Sequence, residues 1–178
     1  MDFNERTTEC LEWLKQEYAG IRTGQATPAL LDSIKVESYG TKVPLNQVGS
    51  VGVEDARTLR ISVWDSGQIK EIERAISEAD LGVSVATDSA GLRVIFPELT
   101  SERRVQLQKL AKQKLEEARV SVKSARDDVM KDIDKREKAG ELSEDEEFSE
   151  KEQVQKQVDA ANKSLDDLYQ QKEQEIAN

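Results

Sequence analysis

The sequence predicts an α+β protein of two domains, a long three-helix bundle interrupted by a small β/α/β domain. Three observations carry this prediction. Two long stretches after residue 100 and one short stretch before residue 22 place apolar residues at helical spacing. Residues 28–99 instead alternate apolar and polar side chains and hold six of the nine glycines and all three prolines. Finally, 35% of the 178 residues are charged and only 4% are aromatic, a composition suited to long helices with narrow apolar seams.

In the first stretch Phe3, Thr7, Cys10, Leu14 and Ile21 share one face, with Leu11 and Tyr18 beside them. In the second, Leu115, Ala118, Val122, Ala125, Val129 and Ile133 advance in steps of three and four. Val154, Val158, Ala161, Leu165, Leu168 and Ile176 repeat the pattern in the third. Each stripe is too narrow to stabilise an isolated helix, so the three must pack together. Thr100 precedes the second helix, and Gly140 suits the left-handed residue that ends it. Ser143 with Glu146, and Ser149 with Glu152, are candidate capping boxes for the third. The acidic run Glu144 to Glu147 then falls in a first turn, where the helix dipole favours negative charge. Helices over about 101–139 and 144–176 would be on the order of 58 and 50 Å long.

Within the insert, Ile34-Lys35-Val36 runs to a turn at Tyr39-Gly40-Thr41, and Leu59 to Val63 alternates as a half-buried strand does. Gln68 to Ala79 places Ile69, Ile72, Ala75, Ile76 and Ala79 on one helical face. Val83 to Ala86 and Leu92 to Phe96 are expected strands around the turn Asp88-Ser89-Ala90-Gly91. The bundle would thus comprise 1–27 and 100–178, and the inserted domain 28–99. Their connectors carry Gly24 and Pro28 on one side, and Pro97, Glu98 and Leu99 on the other. Proline disfavours helix at the residue before it, and two short connectors make a hinge the expectation.

Composition also excludes much chemistry. The chain has no histidine, the usual general base and metal ligand. Its one cysteine, Cys10, lies on an apolar stripe and is expected to be a buried structural thiol in a reducing compartment. Gly49-Ser50-Val51-Gly52 lacks the lysine and helix of a phosphate-binding loop, and is expected to mark a bend in a strand. No apolar run approaches the roughly 18 residues of a membrane span, and the first twenty residues hold no signal-peptide core. A cytoplasmic chain with no active site, no metal and no cofactor is the expectation.

The net charge is −10, which argues against a nucleic-acid partner until its distribution is considered. Residues 100–139 hold twelve basic and eight acidic side chains, a net +4, against −14 for the remainder. Lys112, Arg119, Lys123 and Arg126 fall within about 60° on a helical wheel, beside the apolar seam. Such a stripe is either a solvated helix face or a phosphate-binding surface, and arginine suits the second because its planar fork donates two hydrogen bonds.

The segment Ile21-Arg22-Thr23-Gly24-Gln25-Ala26-Thr27-Pro28-Ala29-Leu30-Leu31-Asp32 resembles the signature of bacterial-type ribosome recycling factors. The resemblance continues through Val53-Glu54-Asp55-Ala56-Arg57-Thr58-Leu59, Ala79-Asp80-Leu81-Gly82, Leu99-Thr100-Ser101-Glu102-Arg103-Arg104, Ala118-Arg119-Val120 and Leu142-Ser143-Glu144-Asp145, in the family's order. It implies an L-shaped, cytoplasmic monomer that binds large-subunit ribosomal RNA through its bundle. With elongation factor G and GTP, such a protein separates the post-termination ribosome into subunits, and its second domain swings when that partner pushes it. Neither DNA nor a membrane is an implied partner, and GTP hydrolysis belongs to the elongation factor. Residue by residue, the resemblance matches Arg126 to the family's principal ribosome-contacting arginine, Arg119 to a neighbouring basic position, and Arg22, Arg103 and Arg104 to further ones; with Lys123, and with Lys112 from the stripe, these are the expected ribosomal RNA contacts. Gln25 and Asp127 depart from basic positions, and Lys123 stands where arginine is usual. A factor of the same fold that occupies idle ribosomes, and a helical adaptor binding partner helices, are the alternative readings.

Overall fold

The computed structural model describes residues 2–178 and is α+β throughout. Its helices are α1 (Phe3–Ala19), α2 (Ile69–Glu78), α3 (Ser101–Lys138) and α4 (Glu144–Ala177). The strands are β1 (Lys35–Ser38), β2 (Thr41–Pro44), β3 (Gly49–Asp55), β4 (Thr58–Val63), β5 (Ser84–Thr87) and β6 (Gly91–Ile95). The chain divides into two compact units, Met1–Tyr18 with Gln108–Gln174, and Ala19–Leu107 with Glu175–Asn178.

The first unit is a three-helix bundle built on the expected seams. Leu14 from α1, Ala111, Leu115, Ala118, Val122, Ala125 and Ile133 from α3, and Leu165 from α4 are all almost fully buried. Tyr18 ties α1 to α3, its hydroxyl donating to the Ala111 carbonyl at 2.8 Å. Burial pushes the Tyr18 phenol far above its ordinary pKa. Between α3 and α4, Gly140 adopts φ 77°, and the Gly140 and Glu141 amides donate to the Glu137 and Arg136 carbonyls, both at 2.9 Å. This pairing satisfies the last carbonyls of α3 and reverses the chain. Ser143 caps α4: its hydroxyl accepts from the Glu146 amide at 3.2 Å, and the Glu146 carboxylate accepts from the Ser143 amide at 2.8 Å.

Three expectations are corrected. Ser149 starts no helix, because α4 already runs from Glu144 and the amides near Ser149 are bonded within it. Ile21 is buried but lies beyond α1, which stops at Ala19 ahead of Gly20, a poor helix former. Cys10 is only half-buried.

The second unit holds two antiparallel sheets, β1-β2 and β3-β4-β6-β5. The central strands β4 and β6 bury Leu59, Ile61, Leu92 and Val94, against which α2 sets Ile72 and Ile76. A β-carbon at Gly91 would stand 1.9 Å from the Ile61 carbonyl oxygen, so this strand crossing requires glycine. The strand expected at 59–63 is β4, whereas β3 spans all of Gly49–Asp55, longer than its glycines suggest.

The β5–β6 turn is fastened by Asp88, whose carboxylate accepts from the Ala90 and Gly91 amides at 2.8 and 2.9 Å and from both terminal nitrogens of Arg60. The Arg60 hydrogen bonds, then those amides, hold its carboxyl well below the usual range. A depressed carboxylate stabilises the fold above its unfolded pKa, and that contribution is lost as pH falls toward the folded value. Asp88→Asn should therefore lower the melting temperature at pH about 7 and converge with the parent chain as the medium is acidified below about pH 3. Equal melting temperatures at neutral pH would show that the turn does not depend on this charge.

Candidate nucleic-acid interface

The seam of α3 determines which of its cations are free. With Ala111, Leu115, Ala118, Val122 and Ala125 turned into the bundle, Lys112, Arg119, Lys123 and Arg126 lie roughly 90° away, on the flank. The structure separates these four. Arg119 is engaged twice, with Glu116 at 2.6 Å on its own helix and with Asp166 of α4. The Asp166 hydrogen bond raises the Arg119 pKa against the opposing effect of burial. Lys112 and Lys123 are exposed, and neither forms an ion pair or hydrogen bond among the described residues. Arg126 is half-buried and also unpaired, and its Nε is buried without a hydrogen-bond partner. Asp127 next to it is exposed and forms no ion pair with it, which leaves the Arg126 fork open.

Three further basic positions belong to the second unit. Arg103 opens α3, where the Thr100 hydroxyl accepts its amide at 3.1 Å, and its side chain reaches Gln106 at 3.0 Å. Arg104 is half-buried with its Nε unpartnered. The Arg22 guanidinium lies over the Phe96 ring, 5.4 Å from the centroid, and donates to the Pro97 carbonyl. Burial first, then nearby positive charge, lowers the Arg22 pKa.

Of the connector residues, Gly24 donates its amide to the Glu175 carbonyl at 3.4 Å, and Pro28 opens a single turn of 3₁₀ helix. Pro97 and Glu98 are exposed, while Leu99 is buried. Gln25, where a cation was expected from resemblance, is exposed.

Sequence reasoning missed two features of the interface. Asp166 neutralises Arg119 from another helix, and no spacing within α3 signals that. Lys172 is buried in the seam side of α4 at 8% exposure, although its position beside Leu168 and Ile176 in the period would have flagged it. Among the described residues, no group of three or more His, Cys, Asp or Glu side chains is placed to hold a metal, and no helix is long and apolar enough to cross a membrane.

A three-helix bundle carrying unpaired cations on one helix flank, with a small β-rich unit inserted in its sequence, defines the class: a two-unit α+β protein. Comparison with known proteins names the family. Residues 14–177 match the ribosome recycling factor family, and the chain belongs to it. It is 43% identical over 175 residues to the ribosome-recycling factor of Symbiobacterium thermophilum, covering 98% of this chain and 95% of that one. The factor of Rubrobacter xylanophilus is equally similar, at 43% with 98% and 94% covered. The solution structure of a ribosome recycling factor superimposes with a TM-score of 0.78 at 37% identity, covering 98% of this chain and 93% of that one. A second structure, the T. thermophilus factor with E. coli elongation factor G on the E. coli post-termination complex, gives 0.68 at 40% identity, with 99% and 95% covered.

The Arg119–Asp166 pair is partly exposed, so it should contribute modestly to bundle stability. A double-mutant cycle with Arg119→Ala and Asp166→Ala should return a coupling of about 0.2–1 kcal/mol in urea unfolding, whereas Arg126→Ala should change stability by no more than about 0.5 kcal/mol. A zero coupling would mean that Arg119 is as free as its neighbours.

Proposed function

We propose that this chain binds the post-termination ribosome and, with elongation factor G and GTP, promotes its separation into subunits with release of mRNA and tRNA. The observation that carries this reading is the set of unpaired cations Lys112, Lys123 and Arg126 on the flank of α3. Family membership and the relative bound to the post-termination complex with elongation factor G support it. In this reading the chain works in the cytoplasm as a monomer. It supplies binding and motion without a catalytic group, and the nucleotide chemistry belongs to the elongation factor.

The division of labour among cations follows from their partners. Arg126 meets a ribosomal RNA phosphate at no cost of breaking an internal pair. Arg119 must first share or leave Asp166, so it contributes less. Lys112 and Lys123 act as point charges, and Arg22, Arg103 and Arg104 are further contacts. An adaptor that binds partner helices would need a second apolar seam. The exposed Val105, Leu110 and Val120 of α3 do not form one, because they spread over roughly 140° of its circumference.

Polysome breakdown with matched purified ribosomes, elongation factor G and GTP tests the function. Release of subunits supports it, and binding without separation favours a factor that occupies idle ribosomes. On large subunits, Arg126→Ala should weaken affinity by about 1.5–3 kcal/mol and Arg119→Ala by less, with affinity falling as salt rises. Equal affinities for Arg126→Ala and the parent chain would exclude this placement.

The domains proposed are 1–27 with 100–178, and 28–99, joined at a hinge of Gly24, Pro28, Pro97, Glu98 and Leu99. Supporting it, residues 96–100 carry no helix or strand, and neither do residues 22–27. Residual dipolar couplings should require more than one orientation of the two domains in solution. A single rigid orientation would count against the hinge.

A further inference from the structure

The glycine-marked strand β3 has no part in RNA binding as proposed, and it forms one edge of the four-stranded sheet. Its inner side pairs with β4, Gly49 lying opposite Val63. One residue earlier, the Trp64 amide donates to the Val48 carbonyl at 3.2 Å, while the Val63 amide turns away to the Ala90 carbonyl at 3.0 Å. Antiparallel ladders alternate, so Gly49, Val51 and Val53 direct their N–H and C=O groups outward. Among the described residues nothing pairs with them there. Edge strands are ordinarily blunted by charge, proline, shortness or a bulge. The opposite edge, β5, is only four residues long. On β3 the bulge comes after Val53, the charges stand only at Glu54 and Asp55, and a β-carbon at Gly52 would meet nothing within 4 Å.

Beside the first half of β3 lies a groove of about 490 Å³. Pro28, Leu31, Pro44, Leu45, Val51 and Trp64 give it apolar walls. Leu31 and Leu45 belong to the core, whereas Trp64 is 68% exposed and Val53, farther along the strand, 58%. Gly49, Ser50 and Val51 line the groove and belong to the open edge, so apolar contact and unpaired backbone are offered to the same ligand. The one charged group in the lining is the Asp32 carboxylate, which forms no ion pair or hydrogen bond among the described residues.

We propose that this groove takes an extended, basic segment of a partner protein, which adds to the outer side of β3 as a further strand. The backbone selects a polypeptide: donors and acceptors alternate along Gly49, Val51 and Val53, and another extended chain matches that alternation. Alternate side chains of such a strand face the groove, where the Trp64 ring and the prolines receive an aliphatic group. Asp32 selects a cationic side chain. An RNA phosphate, by contrast, offers acceptors alone and would meet that carboxylate with no cation in the lining to offset it. The site is separate from the cations of α3 and does not depend on the ribosome-binding reading.

The test titrates the full, isotope-labelled chain with a synthetic peptide of alternating lysine and valine, equal in length to β3. The Gly49, Val51 and Val53 amides and the Trp64 indole N–H should shift together, and those three amides should exchange more slowly with solvent in the bound state. Slowed exchange marks a new strand pairing, which side-chain contact alone would not produce. Asp32→Lys should lose on the order of tenfold in affinity for this peptide and gain affinity for its glutamate–valine counterpart. Trp64→Ala should weaken both peptides, with parent melting temperatures confirming that each variant folds. Unshifted β3 amides at saturating peptide would overturn the site, and so would parent affinity in Asp32→Lys. Shifts of the same amides by oligouridylate would assign the groove to RNA instead. Concentration-dependent shifts in the chain alone would give the edge to a second copy, and either result also overturns the proposal.

Discussion

Burial of the alanine-rich seam of α3 is the constraint on which the interface depends. Ala111, Ala118 and Ala125 are each at most 1% exposed, interleaved with Leu115 and Val122. Small residues at this spacing let neighbouring helices approach closely, and a close-packed seam tolerates little rotation about the helix axis. Because the rotation is held, every other residue of α3 has an assigned direction. Lys112, Lys123 and Arg126 are held on the flank by apolar contacts that they do not make themselves. A cation displayed in this way loses little freedom on meeting a phosphate.

Charge across the molecule is organised by pairing as much as by number. Arg60, Arg93, Arg119 and Arg136 all meet carboxylates, and Lys151 bridges Asp134 and Glu147 at 2.5 and 2.7 Å. These pairs fasten turns and helices, and they withdraw cations from any external ligand. On α3, Lys112, Lys123 and Arg126 are left outside these pairs. In the proposed reading, an acidic chain whose basic residues are concentrated on α3 is steered to one orientation on an anionic surface, since most of its face is repelled by that surface. The net charge of −10 therefore restricts where RNA can bind and does not forbid it.

Helix periods survive in sequence because they are local: Leu115, Ala118, Val122 and Ala125 lie on one face whatever surrounds them. Turn chemistry is local too, which is why Gly140 and the Ser143–Glu146 box read correctly. Ser149 with Glu152 has the same local pattern and failed, because a helix already under way removes the free amides a cap would satisfy. The length of β3 was obscured by its glycines, whose place in a strand is decided by the partner strand β4. Cys10 followed the apolar period but stands at its edge, and only the neighbouring helices set how much of it they cover.

The sequence by itself determined the class of fold, the bundle seams, the inserted β-rich segment and the helix that carries the basic residues. Each of these follows from period, propensity or composition within one stretch of chain. Only the tertiary structure decided which cations are free. Asp166 claims Arg119 across 47 positions of sequence, and Arg22 stacks on Phe96, 74 positions away. Charge pairing acts through distances in space, and those exist only once the helices and strands are packed.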